Sequence, residues 1–273
     1  MHHSLVVKKT LLLSLFVLYF CNGFALSICS WNIENIGQSK SDDEIKFMAK
    51  VLQSYDLIAI QEVVAGQGGA AAIARLHDAL NRTGNKWDYS VSDPTTGSTY
   101  KTERYAFIWK TANIKLIGKP WLEQHYKIEI DREPYFATFK YQAIEFTLVN
   151  FHAITKAKQP ETEIKYFKFL PAAYPNLNLI FCGDFNCPQS HTVFNPLKSM
   201  GYAPALVGQK TSLKQKCVEQ QCLASEYDNF FYKSAAVKFV KAGIIAFYKS
   251  FTDLAEARKI SDHVPIFLEL EVK

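Results

Sequence analysis

The sequence predicts an α+β domain built on mixed β-sheets. Three observations carry this. Strand-like apolar runs occur in adjacent pairs, 105–110 with 113–118 and 135–141 with 144–151, as antiparallel sheet permits. Other runs are separated by helical patterns, which parallel pairing needs. The last run sets Ile266, Leu268, Leu270 and Val272 against Glu269 and Glu271, the alternation of a half-buried strand.

The elements follow in order. Residues 1–25 read as a signal peptide: Lys8 and Lys9 precede an apolar stretch from Leu11 to Phe20, and Gly23-Phe24-Ala25 offers small residues for cleavage. That stretch is short for a membrane span, which leaves an uncleaved anchor as the lesser alternative. No repeat or low-complexity linker breaks residues 26–273, so one domain is expected there. A first strand leads into Asn32. Ser41-Asp42-Asp43-Glu44 has capping-box spacing, and Ile45, Met48, Ala49 and Leu52 share one helical face behind it. Tyr55 to Val63 reads as a buried strand, Gly66-Gln67-Gly68-Gly69 as a loop, and Ala70 to Asn81 as a second helix. After the two strand pairs a helix is expected near Pro160, with Glu161 and Glu163 in its first turn. Leu179-Ile180-Phe181-Cys182 is a further buried strand, ending in Gly183-Asp184-Phe185-Asn186. The segment from Val237 to Phe251 is read as core helix or paired strand.

Composition bounds the class. With 48% hydrophobic residues the chain can bury a sizeable core. The formal charge of +5 drops by two once Lys8 and Lys9 leave, and mild basicity permits a polyanionic partner without demanding one. No Cys-x-x-Cys occurs, which argues against structural zinc. Cys217 and Cys222 are close enough to clip a loop, and Cys29 and Cys182 sit in apolar runs as small core residues.

Several apolar runs end in polar residues with no evident packing role: Asn32, Gln61-Glu62, Asn150-Phe151-His152 and Asp184-Phe185-Asn186. Ser261-Asp262-His263 instead precedes a strand. Each alone has an ordinary explanation, such as a turn former, a solvated charge or a satisfied histidine. Strand ends nevertheless hold side chains rigidly beside loops that leave room for a substrate.

Taken in order, Trp31-Asn32-Ile33, Ile60-Gln61-Glu62-Val63, Glu103-Arg104-Tyr105, Phe151-His152-Ala153, Gly183-Asp184-Phe185-Asn186, Tyr227-Asp228 and Ser261-Asp262-His263-Val264-Pro265 resemble the endonuclease/exonuclease/phosphatase superfamily. Within it the set is most similar to the deoxyribonuclease I-like branch. The resemblance spans nearly all of residues 26–273. It implies a four-layer sandwich, two mixed β-sheets face to face with helices outside.

The resemblance also implies roles. Asn32 and Glu62 would bind a divalent metal, Mg²⁺ or else Mn²⁺ or Ca²⁺, with Asp262 contributing; hard oxygen donors suit such ions. His152 and His263 would form the catalytic pair, oriented by Glu103 and Asp228 respectively. His152 is expected to protonate the leaving oxygen, and His263 to activate water or hold the phosphate. In other branches the base is an aspartate, here Asp184, and Asn186 would orient the phosphate or that aspartate. His77, His125 and His191 match no motif. One departure stands out: Val64 occupies the place where the branch carries an arginine that enters the DNA minor groove, while Tyr100 or a neighbour could supply the stacking contact.

The expectation is thus a secreted (extracellular or periplasmic) DNA endonuclease, with RNA as a further candidate substrate. A monomer with no stable membrane association is expected. The competing expectation is a sphingomyelinase-type or phosphoinositide phosphodiesterase on the same scaffold, with Ile244, Ile245, Phe247, Tyr248 and Phe251 as an apolar membrane-facing loop.

Overall fold

A computed structural model describes residues 25–97 and 102–272. The chain runs β1 (Leu26–Ile36), α1 (Asp42–Leu52), β2 (Leu57–Val64), α2 (Gln67–Asn81), β3 (Trp87–Val91), β4 (Glu103–Lys110), β5 (Ile114–Leu122), β6 (Tyr135–Tyr141) and β7 (Ile144–His152). It continues through α3 (Glu161–Ile164), α4 (Leu170–Ala173), β8 (Leu179–Asp184), α5 (Asn195–Ser199), β9 (Tyr202–Pro204), β10 (Leu213–Val218) and β11 (Gln221–Leu223). It closes with β12 (Asp228–Lys233), β13 (Val237–Ile244), α6 (Leu254–Ile260) and β14 (Ile266–Val272).

Two six-stranded sheets form, in the orders β13-β14-β1-β2-β4-β3 and β5-β6-β7-β8-β12-β9. Each is antiparallel except for one central parallel pair, β1 with β2 in the first sheet and β7 with β8 in the second. Their facing sides share one apolar layer, with Ile28, Leu57, Phe107 and Leu268 meeting Phe139, Leu148, Ile180 and Phe230. The outer face of the first sheet buries Ile58, Ile60 and Ile108 against α1, α2 and α6. The outer face of the second buries Val149, Phe181 and Phe231 against Ile164, Phe167, Leu170 and Phe194. The expected four layers are present. Central strands covered on both faces read as unbroken apolar runs, which is why no alternation marks them.

Local chemistry explains most boundaries. Ser41 accepts from the Glu44 backbone N–H at 3.3 Å and Glu44 Oε2 accepts from the Ser41 N–H at 2.6 Å, so the capping box forms as read. The Gly66–Gly69 segment is not a loop. Gly66 caps α2 and the helix starts at Gln67, because α2 packs directly on the end of β2: a Cβ at Gly69 would lie 1.9 Å from Val64 O. The helix expected near Pro160 lasts only from Glu161 to Ile164 before the chain breaks into further short turns. The run after Asn113 continues past Gly118 to Leu122 through a register shift opposite β6.

Val237–Ile244 is the edge strand β13, paired with β14. Ile244, Ile245, Phe247, Tyr248 and Phe251 pack on the core beneath α1 and are not a free apolar loop, with Phe247 meeting Trp31 at 5.2 Å between ring centroids. No helix among the described residues is long and apolar enough to cross a membrane. Cys217 and Cys222 form the expected disulfide at the tip of the β10–β11 hairpin, and Cys29, Cys182 and Cys187 are buried thiols. The signal-peptide reading of 1–25 concerns residues 1–24 that lie outside the described set, as does Tyr100.

Candidate active site

The topology gathers the polar strand ends at one edge. In a parallel pair both strands deliver their C-terminal ends to the same side, so β1 and β2 bring Asn32 and Glu62 there, while β7 and β8 bring His152 and Asp184. Antiparallel neighbours start at that side: Glu103 opens β4 opposite Val64, and Asp228 opens β12 opposite Asp184. The loop before β14 adds Asp262 and His263. All nine residues predicted from sequence lie at this edge, around a cleft of about 550 Å³ lined by Glu62, Glu103, His152, Asp184, Asn186, Asp262 and His263, among others.

Two backbone devices aim the carboxylates. A register shift between Ile60 and Val63 puts Glu62 in the left-handed region at φ 59, turning its carboxylate into the cleft, where Oε2 accepts from Asn35 N–H at 3.1 Å. Gly183 has φ 131, and a Cβ there would lie 1.9 Å from Phe151 O, so only glycine lets β8 run beside β7 into Asp184. Asn186, at φ 48, turns its own N–H back onto Asp184 Oδ1 at 2.8 Å.

Each histidine is held by a carboxylate of the opposite sheet. His152, on the second sheet, has Nδ1 3.0 Å from both oxygens of Glu103, which starts a strand of the first. His263, entering the first sheet, has Nδ1 2.7 Å from Asp228 Oδ2 on the second. Each pair therefore bridges the two sheets. The free Nε2 atoms of His152 and His263 then converge on one oxygen, Asp184 Oδ2, at 3.6 and 3.5 Å. Asn32 Nδ2 donates to the same oxygen at 3.1 Å and to Glu62 Oε1 at 2.9 Å.

These contacts set the protonation states. Burial and the Arg132 guanidinium both disfavour a charged His152, yet the Glu103 carboxylate outweighs them and raises its pKa. Burial likewise opposes charge on His263, but Asp228 and Asp184 raise it well above the ordinary value. Burial would push Asp184 up; His263, His152 and the donors from Asn186 and Asn32 instead hold it below the usual carboxylate range. A carboxylate thus sits between two imidazolium-favouring rings.

Asn32 Oδ1 is buried and has no hydrogen-bond partner. A buried amide oxygen without a donor fits a cation, and it lies beside the half-open Glu62 carboxylate. Asp262 stands farther out at the rim, with Oδ2 3.8 Å from Arg258. Asp184, Asp228 and His263 also present oxygens and nitrogens within 4.8 Å of one another. Their geometry is that of a proton-holding set, because Asp228 is already bonded to His263 Nδ1.

Sequence reading missed the supports. Arg132 is buried, donates to Glu103 Oε2 at 2.9 Å and also bonds Ala153 O. Gln61 and Asn150 join the sheets behind the site at 2.6 Å, and Ser261 Oγ donates to Asn32 O at 2.6 Å while accepting from His263 N–H at 3.0 Å. Gln61, Asn150 and Ser261 stood inside the motifs, so a buried-polar reading could have found them; nothing local marked Arg132. Glu34, with its pKa raised by burial and by Asp262 and Glu62, joins the acidic lip. Val64 lines the cleft where the arginine was expected. His77 bonds Trp87 O and His191 caps a short turn, away from this centre.

The sequence profile of the Endonuclease/Exonuclease/phosphatase family matches residues 29–263. The chain belongs to this family. It is accordingly a hydrolase, and the family's two-sheet sandwich is the fold described above. Similar proteins include a deoxyribonuclease of Thioalkalivibrio sp. (strain K90mix), 27% identical across 90% of this chain and 71% of that protein. Deoxyribonuclease gamma of Rattus norvegicus is 25% identical across 95% of this chain and 89% of the relative. Among solved structures, a mannosyl-6-phosphatase of Bacteroides thetaiotaomicron shares the fold with a TM-score of 0.65 at 18% identity, covering 90% of this chain and 99% of the other.

Proposed function

We propose that this chain is a secreted, divalent-metal-dependent endonuclease that hydrolyses phosphodiester bonds of DNA. The observation that carries it is the convergence of His152 Nε2 and His263 Nε2 on Asp184 Oδ2, each ring backed by its own carboxylate. Hydrolysis of a phosphate ester expels an alkoxide that must be protonated as it leaves, and a ring held as an imidazolium can supply that proton. The deoxyribonuclease names of the relatives support DNA as the substrate.

His152, favouring the imidazolium, gives its Nε2 proton to the leaving oxygen as the P–O bond breaks. Asp184, held ionised, takes a proton from the attacking water. His263 faces the phosphoryl oxygens as a cation and, with Asn186, holds the phosphate. Glu103 and Asp228 fix the rings. Asn32 and Glu62, with Asp262 at the rim, would hold Mg²⁺, or Mn²⁺ or Ca²⁺ in its stead. Such an ion supplies positive charge to the phosphoryl oxygens. Release of residues 1–25 as a signal peptide would deliver a monomeric enzyme outside the cytoplasm.

The test offers purified residues 26–273 supercoiled plasmid, RNA and sphingomyelin vesicles, with and without EDTA, beside a His152→Ala variant. Nicking of plasmid that needs both the metal and His152 is expected. Nicking that survives EDTA or the substitution overturns the mechanism, and lipid cleavage without nicking transfers the assignment to a lipid phosphodiesterase.

A further inference from the structure

Asp262 and His263 follow the end of α6 with only Ser261 between. The last carbonyls of a helix have no partner within it. Here Lys259 O and Ile260 O both accept from Lys40 Nζ, at 2.8 and 2.9 Å. Lys40 is 7% exposed, a degree of burial that lysine tolerates only when its head is paired. No step of the mechanism above uses it.

Lys40 is itself fixed. It closes the turn between β1 and α1 by donating its N–H to Gly37 O at 3.2 Å, and its O accepts from Arg75 Nη1 of α2 at 2.9 Å. Burial lowers the pKa of its side chain, while the carboxylates of Glu34, Glu44, Glu62 and Asp262 favour the charge. Past the helix the chain is held again. Ser261 Oγ donates to Asn32 O, Asp262 O accepts from Leu213 N–H at 2.6 Å, and Val264 N–H donates to Thr211 O at 2.8 Å. These contacts fix the chain from Ser261 onward, and Lys40 fixes the two residues before it.

We propose that Lys40 is a positioning residue of the site: its ammonium clamps the end of α6 and so fixes the segment that carries Asp262 and His263. It acts through Ile260 and Ser261, not on the reacting atoms. The inference rests on the phosphodiesterase reading above for its kinetic consequences. A side chain without a donor at position 40 leaves both carbonyls unpaired, that of Ile260 in a buried setting, and a buried acceptor without a donor is costly. Turning the helix end toward water relieves that cost and displaces residues 261–263 relative to Asn32 and Asp228.

Wild type, Lys40→Met, Lys40→Gln, Lys40→Arg and Asp253→Ala would be compared by steady-state cleavage of a fluorophore-quenched DNA duplex and by hydrogen–deuterium exchange of the peptide covering residues 259–266. Asp253 caps the other end of the same helix, accepting from Ala255 N–H at 2.9 Å, so Asp253→Ala weakens α6 without touching the clamp. Lys40→Met is expected to lower kcat about tenfold with KM little changed, and to speed exchange at residues 261–264. Lys40→Arg, which keeps the charge and the donors, recovers most of both, and Lys40→Gln, with one donor group on a shorter stem, falls between. Asp253→Ala keeps kcat close to wild type although its unfolding temperature falls. In combination with Ser261→Ala, the kcat loss of Lys40→Met is less than multiplicative, because both act through one segment. No recovery in Lys40→Arg, a kcat loss in Asp253→Ala equal to that in Lys40→Met, or unchanged exchange at residues 261–264 overturns the inference and leaves the phosphodiesterase reading intact. A wild type that cleaves no phosphodiester overturns that reading instead, and the exchange measurement still decides the clamp.

Discussion

Asn32 Nδ2 donates to Asp184 Oδ2 across 3.1 Å, although 152 residues separate the two and they lie in strands of different sheets. The bond does two things. It helps to keep Asp184 ionised between the histidines, and it leaves Asn32 Oδ1 turned away and without a partner. Asn32→Ala is expected to lower kcat/KM on DNA by about 100-fold while keeping a native circular-dichroism spectrum, in line with the loss of a group that both ligates and orients. Activity within threefold of wild type would mean that the bridge has no part in the reaction.

Glu103 sets the protonation of His152, so its removal should appear as a shift in pH dependence. The ordinary histidine pKa is near 6.5, and in the fold burial and Arg132 push it down while Glu103 pushes it up, with Glu103 prevailing. Loss of the proton as pH rises ends the acid role. In Glu103→Gln the upward push is gone, so the alkaline limb of kcat moves to lower pH. A limb that stays in place would separate His152 from the rate-determining proton transfer.

Metal binding should be visible without turnover. A ligand that binds only the folded state stabilises it by about 2.7 kcal/mol at 100 times its dissociation constant. Thermal unfolding of the EDTA-treated protein is expected to move to higher temperature on addition of Mg²⁺, and Glu62→Gln should lose that response with little change in its metal-free midpoint. A response undiminished in Glu62→Gln would put the ion elsewhere.

Gly183 is the backbone hinge of the site. A side chain there meets Phe151 O at 1.9 Å and must adopt φ 131, so neither the strand pairing nor the dihedral can be kept. Gly183→Ala is expected to destabilise by about 4 kcal/mol or more. Urea unfolding measures this directly; a midpoint equal to wild type would show that β8 can move off β7 without cost.

Much of the fold is legible in the residues. The capping box of α1, the paired strands at 135–141 and 144–151 and the apolar run into Asp184 each carry their signal locally, in spacing and hydrophobicity. The Gly66–Gly69 segment misled because glycine enrichment marks both flexible turns and close approach, and only the contact with Val64 O tells them apart. The short strands β3, β9, β10 and β11 carry too little pattern to read, since two of them are only three residues long and their pairing partners are remote or lie across a turn.

The sequence by itself determined which residues could do chemistry and that they sit at strand ends, because side-chain type and apolar periodicity are properties of the chain alone. Only the tertiary structure decided how they are coupled. Two sheets with one central parallel pair each bring four strand ends to a single edge, and packing those sheets face to face hands each histidine to a carboxylate of the other sheet. Arg132 beneath Glu103 and the orphaned oxygen of Asn32 both arise from that packing. Neither has a local signature, because charge and hydrogen-bond satisfaction depend on which distant groups share a desolvated space.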